Sequence, residues 1–254
     1  MHPQKPRNPG KEPRGIRMIE VWMHDERRDL AEHHDARSLA QTCRERWRQF
    51  RHTAGTVSSS TVIKIIAGEF RSRILEAPEG EDVTRPMMGR VKEAIFNHLR
   101  GRIDGARILD LFAGVGTMGL ECVSRGAAEV VMVERDRTVH KFLDYNCKFL
   151  GVEGRATAVL ADALGPVALA RAPKPVDIVF LDPPYALMED PKTRASVLEQ
   201  AARTRELFAS SGFLVLRSPI RFGASEEAIP GFHGPEVHQY AKTMFVLLYS
   251  PKRD

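Results

Sequence analysis

The chain has 254 residues, of which 43% are apolar and 28% charged, with a formal net charge of +5. This supplies enough apolar material for a sizeable core and excludes a wholly disordered or collagen-like chain. No run approaches the roughly 18 apolar residues of a membrane-spanning helix, and three widely separated cysteines (Cys43, Cys122, Cys147) argue against a disulfide framework and for a reducing compartment.

Residues 1–60 hold 12 basic and 8 acidic side chains, whereas residues 61–254 hold 26 and 25, so the body is nearly neutral. If it binds nucleic acid, it must do so through a local patch. Pro3, Pro6, Pro9 and Pro13 among basic residues predict a disordered or weakly helical leader. A thin apolar stripe over 29–50 (Leu30, Leu39, Cys43, Trp47) and a Ser/Thr linker at 56–61 complete it. An upstream start codon and a real appendage account for this segment about equally well. It lacks the apolar core of a secretory signal, and its acidic residues speak against a transit peptide.

Two short β-type runs, 62–67 and 71–76, surround Gly68 and predict a hairpin. Residues 90–100 predict a helix with Val91, Ile95, Phe96 and Leu99 on one face. From Gly105 onward strands and helices alternate. Strand 107–111 leads to helix 117–125, stopped by Gly126, and strand 129–134 leads to helix 136–150, stopped by Gly151. Strand 155–160 precedes a short helix over 163–170, and strand 176–181 comes after it. Asp190 and Pro191 open a helix reaching about 208. Strand 213–217 comes next, and 236–240 with 243–249 close the chain as an antiparallel pair. Repeated strand–helix units predict an α/β fold with a doubly wound, mostly parallel, seven-stranded sheet. Ligands of such sheets sit outside the carboxyl ends of the strands. Asp110, Glu134, Asp162 and Asp182 all fall there.

Gly114, Gly116 and Gly119 in DLFAGVGTMGLE (110–121) fit G-x-G-x-x-G, and Glu134 stands where an acid can accept from two ribose hydroxyls. A dinucleotide and S-adenosylmethionine (SAM) both fit these residues. Asp110, ahead of the glycines, suits the cationic end of SAM and would repel a pyrophosphate. Asp162 can accept from an adenine amine, although helix capping before Ala163 explains it as well.

After strand 176–181 comes Asp182-Pro183-Pro184-Tyr185. An exocyclic base amine is a poor nucleophile because its lone pair is delocalised into the ring. Two acceptors, the Asp182 carboxylate and the Pro183 carbonyl, could hold its N–H groups and turn the lone pair toward a methyl donor. The prolines fix φ and remove competing donors, and Tyr185 offers a ring on which a splayed base can stack. A rigid turn after a buried strand is the plainer explanation, but it leaves the neighbouring acids unexplained.

Together these motifs resemble class I SAM-dependent N-methyltransferases. More narrowly, IIAGEFRSRIL (65–75) and TRPMMGRVKEAIFNHL (84–99) are similar to segments of the bacterial 16S ribosomal RNA guanine-N2 methyltransferases of the RsmD type. The resemblance covers about 62–249. It implies SAM held by Asp110, Phe112, Gly114, Gly116, Glu134, Asp162 and Ala163, with base-amine binding by Asp182, Pro183 and Tyr185. It implies that Arg85 and Arg90 lie near the active site, touching the cofactor carboxylate or RNA phosphates. On the residues themselves, Arg71, Arg73, Arg85, Arg90 and Lys92 could form the local basic, RNA-binding patch that a neutral body requires, although a solvated charged face explains any single one as well. The resemblance also implies a hairpin-and-helix RNA extension (61–105) and a methyltransferase catalytic domain (106–254), following the leader (1–60) that composition sets apart. The expected partner is 16S rRNA or a small-subunit ribosomal particle, in the cytoplasm, for a monomer with no membrane contact.

Other readings stay open on the residues alone. The rivals are an adenine-N6 or protein-glutamine methyltransferase, a nicotinamide-dependent oxidoreductase, and a non-catalytic RNA-binding or assembly factor. The last is motivated by Met87, Met88 and Gly89, where the family commonly has other residues. No metal is expected, because His33, His34 and Cys43 match no zinc spacing.

Overall fold

The computed structural model describes residues 63–78, 88–222 and 224–253. Helix α1 (Met88–His98) buries Val91, Ile95 and Phe96, with Leu99 just beyond its end. Then come β1 (Arg107–Leu111), α2 (Gly119–Ser124), β2 (Glu129–Glu134), α3 (Arg137–Leu150), β3 (Ala156–Leu160), α4 (Pro166–Ala170) and β4 (Val176–Leu181). After these lie α5 (Tyr185–Glu189), α6 (Pro191–Arg203), a 3-10 turn (Thr204–Leu207), β5 (Phe208–Ser218), α7 (Ala224–Glu227), β6 (Phe232–Ala241) and β7 (Met244–Pro251).

The strands form one seven-stranded sheet in the order β3-β2-β1-β4-β5-β7-β6. β1 to β5 are parallel, and β7 pairs antiparallel with both β5 and β6. The doubly wound, mostly parallel sheet expected from the sequence is therefore present.

Strand alternation sorts the core into two layers. Ile108, Val130, Met132, Ile178 and Phe180 pack with Val91, Phe96, Leu120, Leu143 and Cys147 on one face. Leu109, Leu111, Val131, Val133, Val179 and Leu181 pack with Ala168, Val197 and Ala201 on the other. Cys122 and Cys147 are buried packing residues, as expected.

The element ends differ from the sequence reading where local chemistry competes with periodicity. The helix after β3 starts three residues late, because Asp162 Oδ1 accepts from Leu164 N–H (3.0 Å) and turns the chain first. The helix after Asp190 stops at Arg203, and its last expected turn is a 3-10 turn. β5 reaches back to Phe208 through a register shift against β4, so the polar run 209–212, which reads as a loop, belongs to a strand. Asp190 does cap α6, accepting from Lys192 N–H, with Pro191 in the first turn.

The hairpin over 62–76 is reduced to one bridge, Lys64 to Ile74, supported by three further backbone bonds. What fixes this segment is α2. Glu121 is fully buried and accepts from Ile66 N–H (2.7 Å), Ala67 N–H (3.0 Å), Lys92 Nζ (3.0 Å) and Arg125 Nε (2.8 Å). Ser124 Oγ donates to the Ala67 carbonyl and accepts from Phe70 N–H. Asn146 bonds both the N–H and the carbonyl of Glu76, and also donates to the Val115 carbonyl in the glycine loop.

Candidate active site

The strand order reverses between β1 and β4, the place where such sheets open a ligand crevice. Asp110 is the penultimate residue of β1, and Asp182 comes directly after the last residue of β4; Leu111 and Leu181 are paired neighbours. Glu134 ends β2, and Asp162 lies two residues beyond β3. The four acids therefore lie along one edge of the sheet.

Asp110 points into the layer where its strand neighbours place Ile108. It is 1% exposed, Oδ2 accepts from Gly119 N–H at 2.9 Å, and Oδ1 is buried without a hydrogen-bond partner. Burial, followed by the nearby Asp182 and Glu134 charges and opposed by the Gly119 bond, pushes its pKa up to about 8. The sequence reading expects Asp110 to meet the cationic end of a cofactor; in the structure it lies beneath the loop with one oxygen unpartnered.

The glycines divide their tasks. Gly114 has φ +57° and open space where a side chain would stand, so the backbone there is bare toward the crevice. At Gly116 (φ +91°) a Cβ would meet Leu143 and Leu120, and at Gly119 it would strike Met132 on β2. These two let the helix close onto the sheet. Phe112 takes φ +67°, a costly conformation for a non-glycine residue, at the point where β1 leaves the sheet. Glu134 Oε2 accepts from Gly114 N–H (3.1 Å) and Oε1 from Asp136 N–H (2.7 Å). Ala163 is buried, and its carbonyl accepts from Gln200 Nε2 at 2.7 Å, which pins the turn after the exposed Asp162.

Asp182 is half-buried and ion-paired with Arg217, whose Nε donates to Oδ1. Burial raises the Asp182 pKa, and the Arg217 guanidinium opposes the rise. Pro183 is buried, and Tyr185 opens α5 with its ring 5.9 Å from the Arg217 guanidinium. Asp182, Arg217, Val91, Ile95, Met118 and Val215 line a pocket, so α1 supplies one wall of the crevice. Arg217 is not found by sequence reasoning. Its signal is a cation at the carboxyl end of an apolar strand, beside the Asp-Pro-Pro-Tyr strand.

The basic residues behave differently. Lys92 is buried in its pair with Glu121, and burial lowers its pKa, so it is no member of a surface patch. Arg71 and Arg73 are exposed. Their turn is anchored by Glu69, whose N–H donates to the Ser124 carbonyl at the end of α2 and whose carboxylate meets Arg155 just ahead of β3. This is the amino end of the sheet, opposite Asp182. Arg90 lies on α1, while Arg85, His33, His34 and Cys43 lie outside the described residues, as does the leader. Among the described residues no helix is long and apolar enough to cross a membrane.

The chain matches, over residues 63–248, the family model described as Conserved hypothetical protein 95. It is similar to Ribosomal RNA small subunit methyltransferase D of Escherichia coli (strain K12), 41% identical over 128 residues, which are 50% of this chain and 63% of that protein. The protein of the same name from Haemophilus influenzae is 36% identical over 135 residues, 51% of this chain and 67% of the relative. Among solved structures, yhhF from Escherichia coli aligns with a TM-score of 0.63 at 31% identity, over 75% of this chain and 98% of that one. With nearly three quarters of its length under the family model, and the sheet order, glycine loop and strand-end acids in place, the chain belongs to the Conserved hypothetical protein 95 family, that of the RsmD-type proteins.

Proposed function

We propose that the protein is an SAM-dependent methyltransferase acting on the exocyclic N2 amine of a guanine in 16S rRNA. The observation that carries this reading is the position of Asp182, one strand from the glycine loop, at the split between β1 and β4 and at the edge of a pocket. The relatives' names support ribosomal RNA as the substrate.

The residues present fit the cofactor. A buried Asp110 oxygen lacks a partner, the Gly114 backbone is bare toward the crevice, and Glu134 closes the end of β2. Asp110, Phe112, the Gly114–Gly116 loop, Glu134, Asp162 and Ala163 would hold SAM, and Asp110 also supports the loop from below. When bound, SAM supplies an electrophilic sulfonium methyl.

The chain's own task is then alignment. Asp182 accepts from an N–H of the target amine; a carboxylate has four lone-pair positions, so the pair with Arg217 leaves acceptor capacity. Arg217 favours the ionised form of that carboxylate against the effect of burial; that form is the one needed, since a protonated Asp182 would donate to the nitrogen lone pair that must stay free. The Pro183 carbonyl takes the second N–H, and Tyr185 stacks on the base.

The test is Asp182→Ala in methyl transfer to small-subunit particles, with SAM binding measured by calorimetry. Transfer should fall at least about a hundredfold with SAM binding retained. Mass spectrometry of rRNA from a deletion strain should show one lost N2-methylguanine. A lost N6-methyladenine or methylglutamine would overturn the substrate, and an absence of SAM binding by the intact chain would overturn the activity.

A further inference from the structure

Away from the crevice, the end of α1 meets edge strand β6. Glu236, His238 and Tyr240 alternate along β6 and so share one face. His98, in the last turn of α1, packs over that face, its ring 4.0 Å from the His238 ring. His98 Nε2 lies 3.1 Å from the Tyr240 hydroxyl. His238 Nε2 lies 2.9 Å from Glu236 Oε1, yet it is shut off from solvent with no aligned hydrogen-bond partner. One donor atom from each of His98, Glu236 and His238 falls within 4.8 Å of the others.

Two imidazoles and a carboxylate from elements far apart in the chain converge, and one ring nitrogen, His238 Nε2, is buried 2.9 Å from a carboxylate oxygen without an aligned hydrogen bond. Two imidazole nitrogens and one carboxylate oxygen suit zinc and its neighbours in the transition series; hard ions such as Mg²⁺ prefer all-oxygen sets. A tetrahedral zinc site asks for ligand atoms about 3.4 Å apart, a small side-chain closure from the separations seen. Glu236 and His98 are exposed, so an ion can enter and water can complete the coordination. With His98 presenting Nδ1 to the ion, its Nε2 would be held by the Tyr240 hydroxyl, as outer partners of metal-bound histidines do.

We infer that His98, Glu236 and His238 form a binding site for a divalent transition ion of the zinc class, which clamps the C-terminal end of α1 to the edge strand. α1 also carries Val91 and Ile95 of the crevice wall, so the clamp would steady that wall from its far end. The site stands whether or not the protein transfers methyl groups.

Equilibrium dialysis of the full chain against Zn²⁺, with Mg²⁺ as control, tests it, together with thermal unfolding. One zinc per chain should bind, with affinity falling at least tenfold in His98→Ala and in His238→Ala. Zinc should raise the Tm of the parent by a few degrees and leave both variants unmoved. Co²⁺ should give a visible d–d spectrum in the parent that His98→Ala, an exposed change at a helix end, abolishes. Zinc uptake that survives both histidine variants but is lost in Cys43→Ser would place the ion in the leader and overturn the site. Uptake no greater than that of Mg²⁺ would overturn it as well.

Discussion

Asp110 and Asp182 sit at the ends of neighbouring strands, both with raised pKa values but with different partners, and each makes a distinct prediction. Asp110 in the folded chain keeps its proton to about pH 8, whereas in the unfolded chain it releases it near 3.8. Between those values the folded state binds the extra proton, so stability falls as pH rises from about 4 to about 8. Asp110→Asn should remove that slope. The Tm of the variant should exceed the parent's by more at pH 8 than at pH 5, and the difference should reach several kcal/mol of stability. At Asp182 burial raises the pKa and Arg217 opposes the rise. Arg217→Gln should drive the Asp182 pKa further up and move the acid limb of the kcat/KM–pH profile to higher pH, with Arg217→Lys giving partial recovery. A profile that drops in height without moving would reduce Arg217 to a packing role. Asp182 is legible from its tetrapeptide alone; Arg217 is not, because its partner becomes visible only once β5 is known to lie beside β4.

At the scale of elements, the segment 63–77 is held less by its own pairing than by α2. Gly68 shows how tightly. It has φ +83°, and a Cβ there would stand 1.8 Å from the Ser124 carbonyl oxygen, a backbone atom that cannot step aside. Gly68→Ala should cost more than the ~1 kcal/mol of an ordinary glycine replacement, and amide exchange in 63–77 should rise well above that in β1. Removing Glu121 strands Lys92, a buried cation, and two backbone amides. Glu121→Ala should therefore destabilise by roughly 3–5 kcal/mol in denaturant unfolding. Periodicity locates β1, β2 and β4 to the residue, since each carries apolar side chains on both faces. It cannot find the anchor on α2. Glu121 closes the glycine motif, and its anchoring role becomes visible only when the partner segment is seen across it. The short helix at Tyr185 is hidden for another reason: the two prolines ahead of it signal a turn and carry no information about the conformation of residues 185–189.

For the molecule as a whole, the topology is legible because each strand–helix unit carries its own signal and crossover handedness leaves few ways to assemble them. The placement of the basic residues is not. Sequence proximity groups Arg71, Arg73 and Lys92 into one patch, but the fold sends the first two to the amino end of the sheet and buries the third. If the leader is separate, as its composition suggests, a chain beginning at residue 61 should keep its Tm within about 2 °C and bind SAM as the full chain does. RNA affinity should then separate the two. The near-neutral body should show a shallow dependence on salt, and the full chain a steeper one if its basic leader meets phosphates.

The carboxylate of Glu134 is already gripped by the amides of Gly114 and Asp136. Its rotamer is thus settled in the folded chain, and if Glu134 holds a ribose as proposed, the entropy of arresting that side chain is lost during folding and not at the moment of capture. Recognition at this corner should accordingly be of the lock-and-key kind, fast to form and nearly free of rearrangement.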